Sequence, residues 1–182
     1  MLNLKRIFSA TFFLLLIFAS SVFAQDAVNN YEFYEKGDYQ KSAEVLRKAV
    51  DNDKNDRRAW LYLGMSYARL KRTEEALKAF DEADNLTGMK LLENEEPPKT
   101  LSKPRAAYTD EARANGVTGT VKLAVEWGAD GEIKFIFPYK TLPDGLTEQV
   151  IEAAKKVRFE PAKRDGKPIN FITTLEYAFS IY

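Results

Sequence analysis

The chain has 182 residues, 45% hydrophobic and 30% charged, with a formal net charge of zero, so bulk charge favours neither nucleic acid nor an anionic membrane surface. Cysteine and histidine are both absent. That excludes disulfides, thiolate zinc sites, Cys or Ser/His nucleophile pairs and imidazole proton shuttles, and with no other nucleophile–base pair visible neither an enzyme nor a cofactor is expected.

Lys5 and Arg6 precede an apolar run from Ile7 to about Phe18, and Val22-Phe23-Ala24 ends it with a small residue at a cleavage position. This is the layout of a secretory signal peptide over residues 1–24, which makes the mature chain an exported one. Ile7–Ala24 is also about long enough to span a bilayer. Membrane contact is therefore expected only if the leader is retained.

Residues 25–93 read as a helical repeat domain. Ser42, Leu46 and Ala49 recur as Ala76, Phe80 and Ala83, each pair 34 residues apart. Trp60, Leu63, Gly64 and Tyr67 lie on the helix before the second set. The pattern resembles the tetratricopeptide repeat, whose large and small residues let antiparallel helices interlock. Gly64 and Ala76 allow the close approach, and Tyr67 and Phe80 fill the space beside them. The second copy covers about Arg57–Thr87. The first turns at Gly37-Asp38-Tyr39, with Asn30 where a small residue is usual. Two repeats leave an open end, and either a capping helix at Met89–Glu93 or the other domain is expected to cover it. The resemblance implies either a scaffold or a peptide groove lined by Tyr31, Tyr34, Arg58, Tyr62 and Arg69. Asp51, Asp53 and Asn55 have the alternate spacing of a calcium loop, but Asp56 replaces its glycine and Tyr62 its closing glutamate. An ordinary solvated loop is expected there.

Residues 94–104 are polar, contain three prolines and read as a stiff linker. Thr109 then N-caps a short helix that ends at Asn115-Gly116. In Val117–Trp127 the apolar residues Val117, Val121, Leu123, Val125 and Trp127 share one parity, the signature of a half-buried strand. Gly128-Ala129-Asp130-Gly131 makes a hairpin loop into a second run, with Ile133, Phe135, Phe137 and Tyr139 on one side. Asp144 is expected to cap a helix that buries Leu146, Val150, Ala153, Ala154 and Val157. A turn at Arg164-Asp165-Gly166-Lys167 leads to a last alternating strand. The fold class is α+β: two helical hairpins, then an α-β-β-α-β domain over residues 105–182. A right-handed crossover gives its three-stranded antiparallel or mixed sheet the order 2-1-3, with the helices on one face.

This C-terminal domain resembles that of the TonB family, the periplasmic end of bacterial energy transducers. The resemblance is carried by Tyr108 with Ala112-Arg113, Gly116-Val117-x-Gly119-x-Val121, Asp130-Gly131 and Gly145-Leu146. It continues through Ala153-Ala154, Val157-Arg158-Phe159-x-Pro161-Ala162 and Asp165-Gly166-Lys167-Pro168, with Thr109 departing from the proline common in the family. It implies a periplasmic interaction protein that docks envelope proteins, among them TonB-dependent outer-membrane receptors or their peptide segments, by strand addition. Pro138 blunts the second strand for such pairing. The edge expected to pair is Phe171, Ile172, Thr173, Thr174, Leu175, Glu176, Tyr177, Ala178 and Phe179. The alternative at this edge is cover by the linker or by a second copy of the domain, the latter giving a homodimer through this strand. The alternative is a membrane-anchored transducer, although such proteins carry a histidine in the anchor and a proline-rich rod, both missing here.

Overall fold

A computed structural model describes residues 31–181. The leader expected over residues 1–24 lies outside the described residues. The repeat region consists of α1 (residues 31–35), α2 (Tyr39–Asn52), α3 (Arg57–Arg69) and α4 (Thr73–Asp84). Gly37 takes a left-handed φ of 78° at the first turn, and the Asp38 carboxylate caps α2 by accepting from the Lys41 amide. Asp56 caps α3 in the same way, and Asp53 accepts from the Asn55 amide. The carboxylates of the calcium-like spacing thus serve local turn geometry.

Gly64 does what the repeat pattern requires of it. A β-carbon there would stand 2.7 Å from the ring of Phe80, so only glycine admits α4 this close to α3. Ala76, Ala79 and Ala83 complete the small-residue side of α4, all buried. Ser42 and Ser66 share a buried hydroxyl hydrogen bond of 2.9 Å between α2 and α3. Residues 89–93 do not form the expected capping helix. Met89 and Leu92 instead lie as irregular chain against the repeat core.

The expected linker is also structured. Strand β1 (Glu95–Glu96) pairs with β6 (Ala162–Arg164), and β2 (Lys99–Ser102) pairs with β5 (Arg158–Glu160). β6 continues into β7 (Lys167–Ile169) through a tight turn at Asp165 and Gly166, both at positive φ. Sequence periodicity cannot reveal strands this short, because two or three residues carry no period.

Helix α5 (Asp110–Ala114) is capped by Thr109, whose hydroxyl accepts from the Ala112 amide. β3 (Gly119–Trp127), β4 (Ile133–Lys140) and β8 (Phe171–Phe179) form a sheet in the order β4-β3-β8, antiparallel throughout, as the crossover argument predicts. α6 (Leu146–Ala154) covers one face. Its N-cap is Gly145 in the left-handed region and not Asp144, whose carboxylate is engaged by Asn115. Leu146, Val150, Ala153, Ala154 and Val157 pack there against Val121, Leu123, Val125, Trp127, Leu175 and Tyr177.

The other face is covered too. A register shift between Glu126 and Trp127 separates Ile133 from its alternating partners. Ile133 and Ile136 join the α6 core, while Phe135, Phe137 and Tyr139 join Ala124 and Ile172 in the core of the repeat helices. Phe80 lies against Phe137 and Tyr139, with ring centroids 5.6 and 5.0 Å away. One sheet therefore serves two cores, with helices on both faces.

Because Phe80 is held by these two rings, it has no room to yield to a side chain at position 64. Gly64→Ala should cost about 1–3 kcal/mol through overpacking. Urea denaturation of the pure protein measures this, and the loss should appear in the single transition expected of two regions that share a core.

Candidate functional site

The five residues expected to line a repeat groove do come together, but beneath the sheet. Tyr31, Tyr34, Arg58 and Tyr62 are each no more than 4% exposed. Arg69 is partly exposed and also turned to the sheet. The concave side of the repeat is filled by the chain itself, so the open peptide groove is replaced by an internal interface.

Arginine chemistry organises that interface. Arg58 grips Glu95 with both terminal nitrogens, Nη2 to Oε1 being 3.0 Å. Its guanidinium carbon lies 4.4 Å from the centre of the Tyr31 ring and 5.0 Å from that of Phe171 on β8. Glu95 also accepts from Arg164, which reaches Glu35 as well, and from the Leu92 amide. A second cluster joins Tyr34 and Arg69 to Glu126, with Arg69 stacked 4.1 Å above Phe135. Burial pushes the Tyr34 hydroxyl well above its ordinary range, and the Glu126 charge adds to this, so it remains a donor. At the far side Lys122 bridges Asp84 and Glu176, at 2.8 and 3.1 Å, while Tyr139 donates to Asp84. Arg57 reaches Thr174 Oγ1 at 3.4 Å.

The expected strand edge is also assembled. All nine residues, Phe171 to Phe179, form β8 at the margin of the sheet, with β3 on the inner side. The Glu176 carbonyl accepts from Lys103 Nζ at 2.6 Å on the outer side. Backbone groups alternate in direction along an antiparallel pair, so Ile172, Thr174, Glu176 and Ala178 turn their N–H and C=O groups outward. Their side chains point to the repeat or to solvent, and those of Thr173, Leu175, Tyr177 and Phe179 point to the α6 side.

Comparison with known families matches residues 104–181 to the Gram-negative bacterial TonB protein C-terminal model and residues 31–88 to a tetratricopeptide repeat model. The C-terminal part of the chain is a TonB C-terminal domain. A tetratricopeptide-type region precedes it. Among solved structures, the solution NMR structure of the Pseudomonas aeruginosa TonB C-terminal domain is 30% identical, over 47% of this chain and 88% of that one, with a TM-score of 0.40. No curated protein matches.

The TonB domain here depends on residues that sequence reasoning did not single out. Glu95, Glu126, Asp84, Lys122 and Arg164 are the partners that seat it on the repeat. The signal for this lay in β4, whose apolar residues fall on both parities and so call for cover on both faces. Nothing local marks Glu95 as a partner of Arg58, because that pairing spans 37 residues.

Burial pushes the Glu95 carboxyl up, but the Arg58 hydrogen bonds and charge, the Leu92 amide and Arg164 outweigh it and hold the group below its usual range. A depressed folded value means that the stabilisation is complete above the unfolded value of about 4.3 and is lost as pH falls through the folded one. Glu95→Gln should therefore lower stability near neutrality by about 3 kcal/mol, the cost of breaking a buried pair. It should also flatten the fall in stability below about pH 5. Chemical denaturation across pH 3–7 reads both effects.

Proposed function

We propose that this chain is a non-catalytic interaction protein of the Gram-negative envelope, which docks partner segments by strand addition to the outer edge of β8. The observation that carries this is a nine-residue strand, Phe171–Phe179, paired on its inner side alone. The opposite margin of the sheet, β4, is interrupted by Pro138, which offers no donor. An edge with regularly spaced outward N–H and C=O groups binds extended peptide through the main chain, with side-chain contacts supplying selectivity. The TonB C-terminal domain supports a role in TonB-type transport, with outer-membrane receptors or their peptide segments as the partners. It also supports a periplasmic location.

In this reading the repeat is a buttress. Its concave side holds the sheet, through Arg58, Arg69, Tyr31, Tyr34 and Tyr62, and leaves the β8 edge facing outward. The second reading, an anchored transducer, is favoured by one observation, the apolar run from Ile7 to Phe18. Among the described residues no helix is long and apolar enough to cross a membrane. The mass of the protein isolated from native envelopes separates the two readings: a chain beginning at Gln25 has lost its leader.

Ala178 tests the edge with little risk to the fold, because its side chain is exposed and its N–H points outward. Ala178→Pro should leave the melting temperature within a few degrees and weaken capture of receptor segments by about tenfold, the loss of a backbone bond plus a steric block. Unchanged capture by a folded Ala178→Pro protein would place docking elsewhere.

A further inference from the structure

The outer edge of β8 has a neighbour. After β2 the chain runs beside it over residues 103–108. Lys103 caps the outward carbonyl of Glu176, and its ammonium lies 4.4 Å from the centre of the Tyr177 ring. Further along, a groove of about 400 Å³ is lined by Arg105, Ala106 and Tyr108 and by the end of β8 at Tyr177–Ser180, and it closes where the Tyr108 ring meets that of Phe179 at 5.5 Å. Among the described residues no backbone hydrogen bond joins this segment to β8. Pro104 has no N–H to give. Tyr177 lines this groove, and its ring lies under the Lys103 ammonium. The segment thus lies along the edge without pairing to it.

We propose that residues 103–105 are a displaceable strap, with Lys103 as its pin and Ala106 to Tyr108 as its fixed end, that competes with incoming strands for the β8 edge. This rests on the reading of β8 as the docking edge and adds its regulation. The competition is unequal in a useful way. At Lys103 the strap holds the edge through one exposed charge-assisted bond and an ammonium–ring contact, whereas Ala106 and Tyr108 are seated in the α6-side core, with the Tyr108 ring 5.5 Å from that of Phe179 and its hydroxyl donating to the Val117 carbonyl. A partner strand pairing along Thr174–Ala178 would form several backbone hydrogen bonds at once. Weak or short segments would fail to displace Lys103, and well-matched ones would succeed. The strap therefore raises the threshold for docking and leaves the docked state intact.

The test uses the full chain, labelled with ¹⁵N, and a probe peptide of alternating threonine and valine, seven residues long and blocked at both ends. Lys103→Met retains the aliphatic stem over Tyr177 but removes the donor; Lys103→Arg retains a donor. The peptide should shift the amides of Phe171–Phe179 and those of Lys103 and Arg105. It should bind the Met variant about three- to tenfold more tightly than the parent, the value of one such bond, with the Arg variant close to the parent. Shifts along β8 with equal affinity for all three proteins would refute the pin and leave the docking edge standing. Absence of β8 shifts at millimolar peptide in both the parent and the Met variant would sink the edge and the strap together. Tighter binding by the Met variant without any response from Lys103 and Arg105 would also overturn the strap.

Discussion

The β4-β3-β8 sheet has apolar side chains on both faces, and neither face can be left in water. α6 takes one of them through Leu146, Val150 and Ala154. The other carries Ala124, Ile172, Phe135, Phe137 and Tyr139, and these need a second layer. Fully burying a large apolar side chain is worth about 1.5–3 kcal/mol, so even this small set is a strong reason for the repeat helices to dock. Two helical hairpins on their own are below the number of repeats that usually closes a continuous core. Repeat and sheet each lack a face that the other supplies.

Apolar contact alone would leave the two layers free to slide, and the charges restrict that freedom. Arg58 with Glu95, Arg69 with Glu126, and Lys122 with Asp84 stand at separate points around the aromatic patch. Pairs of this kind contribute little net stability once desolvation is counted, yet a mismatched arrangement would strand a buried charge. The two arginines are also stacked on rings, Arg69 over Phe135 and Arg58 over Tyr31. The side chains that resemble a ligand-binding groove from sequence are the ones that give the interface its orientation.

Much of the architecture was legible in local pattern. The 34-residue recurrence located α2–α4, the alternation in β3 located the central strand, and the handedness of the crossover fixed the sheet order. Asp144 misled because an acidic residue before a helix usually caps it, whereas here Gly145 turns left-handed and Asp144 faces Asn115. The linker misled for a different reason. Proline-rich polar sequence looks extended and solvated, and an extended chain is also what pairs as β1 and β2 once β5 and β6 are beside it. The residues expected to line a groove do lie together, since they share the concave side of the repeat. Their occupant was not legible, because it comes from a sheet more than 50 residues further on, as in the Arg69–Glu126 pair.

The pairing of β1 with β6 begins within a few residues of the repeat core, where Leu92 and Glu95 are already fixed. There is consequently no slack between the two regions. Tension applied along β8 would meet the long β3–β8 ladder loaded in shear. It would then pass through Ile172 and Thr174 directly into the helices, with no linker to uncoil first. A TonB domain joined by a rod can follow a moving partner by extending its tether. One mounted in this way would transmit the pull to whatever holds the other end of the chain.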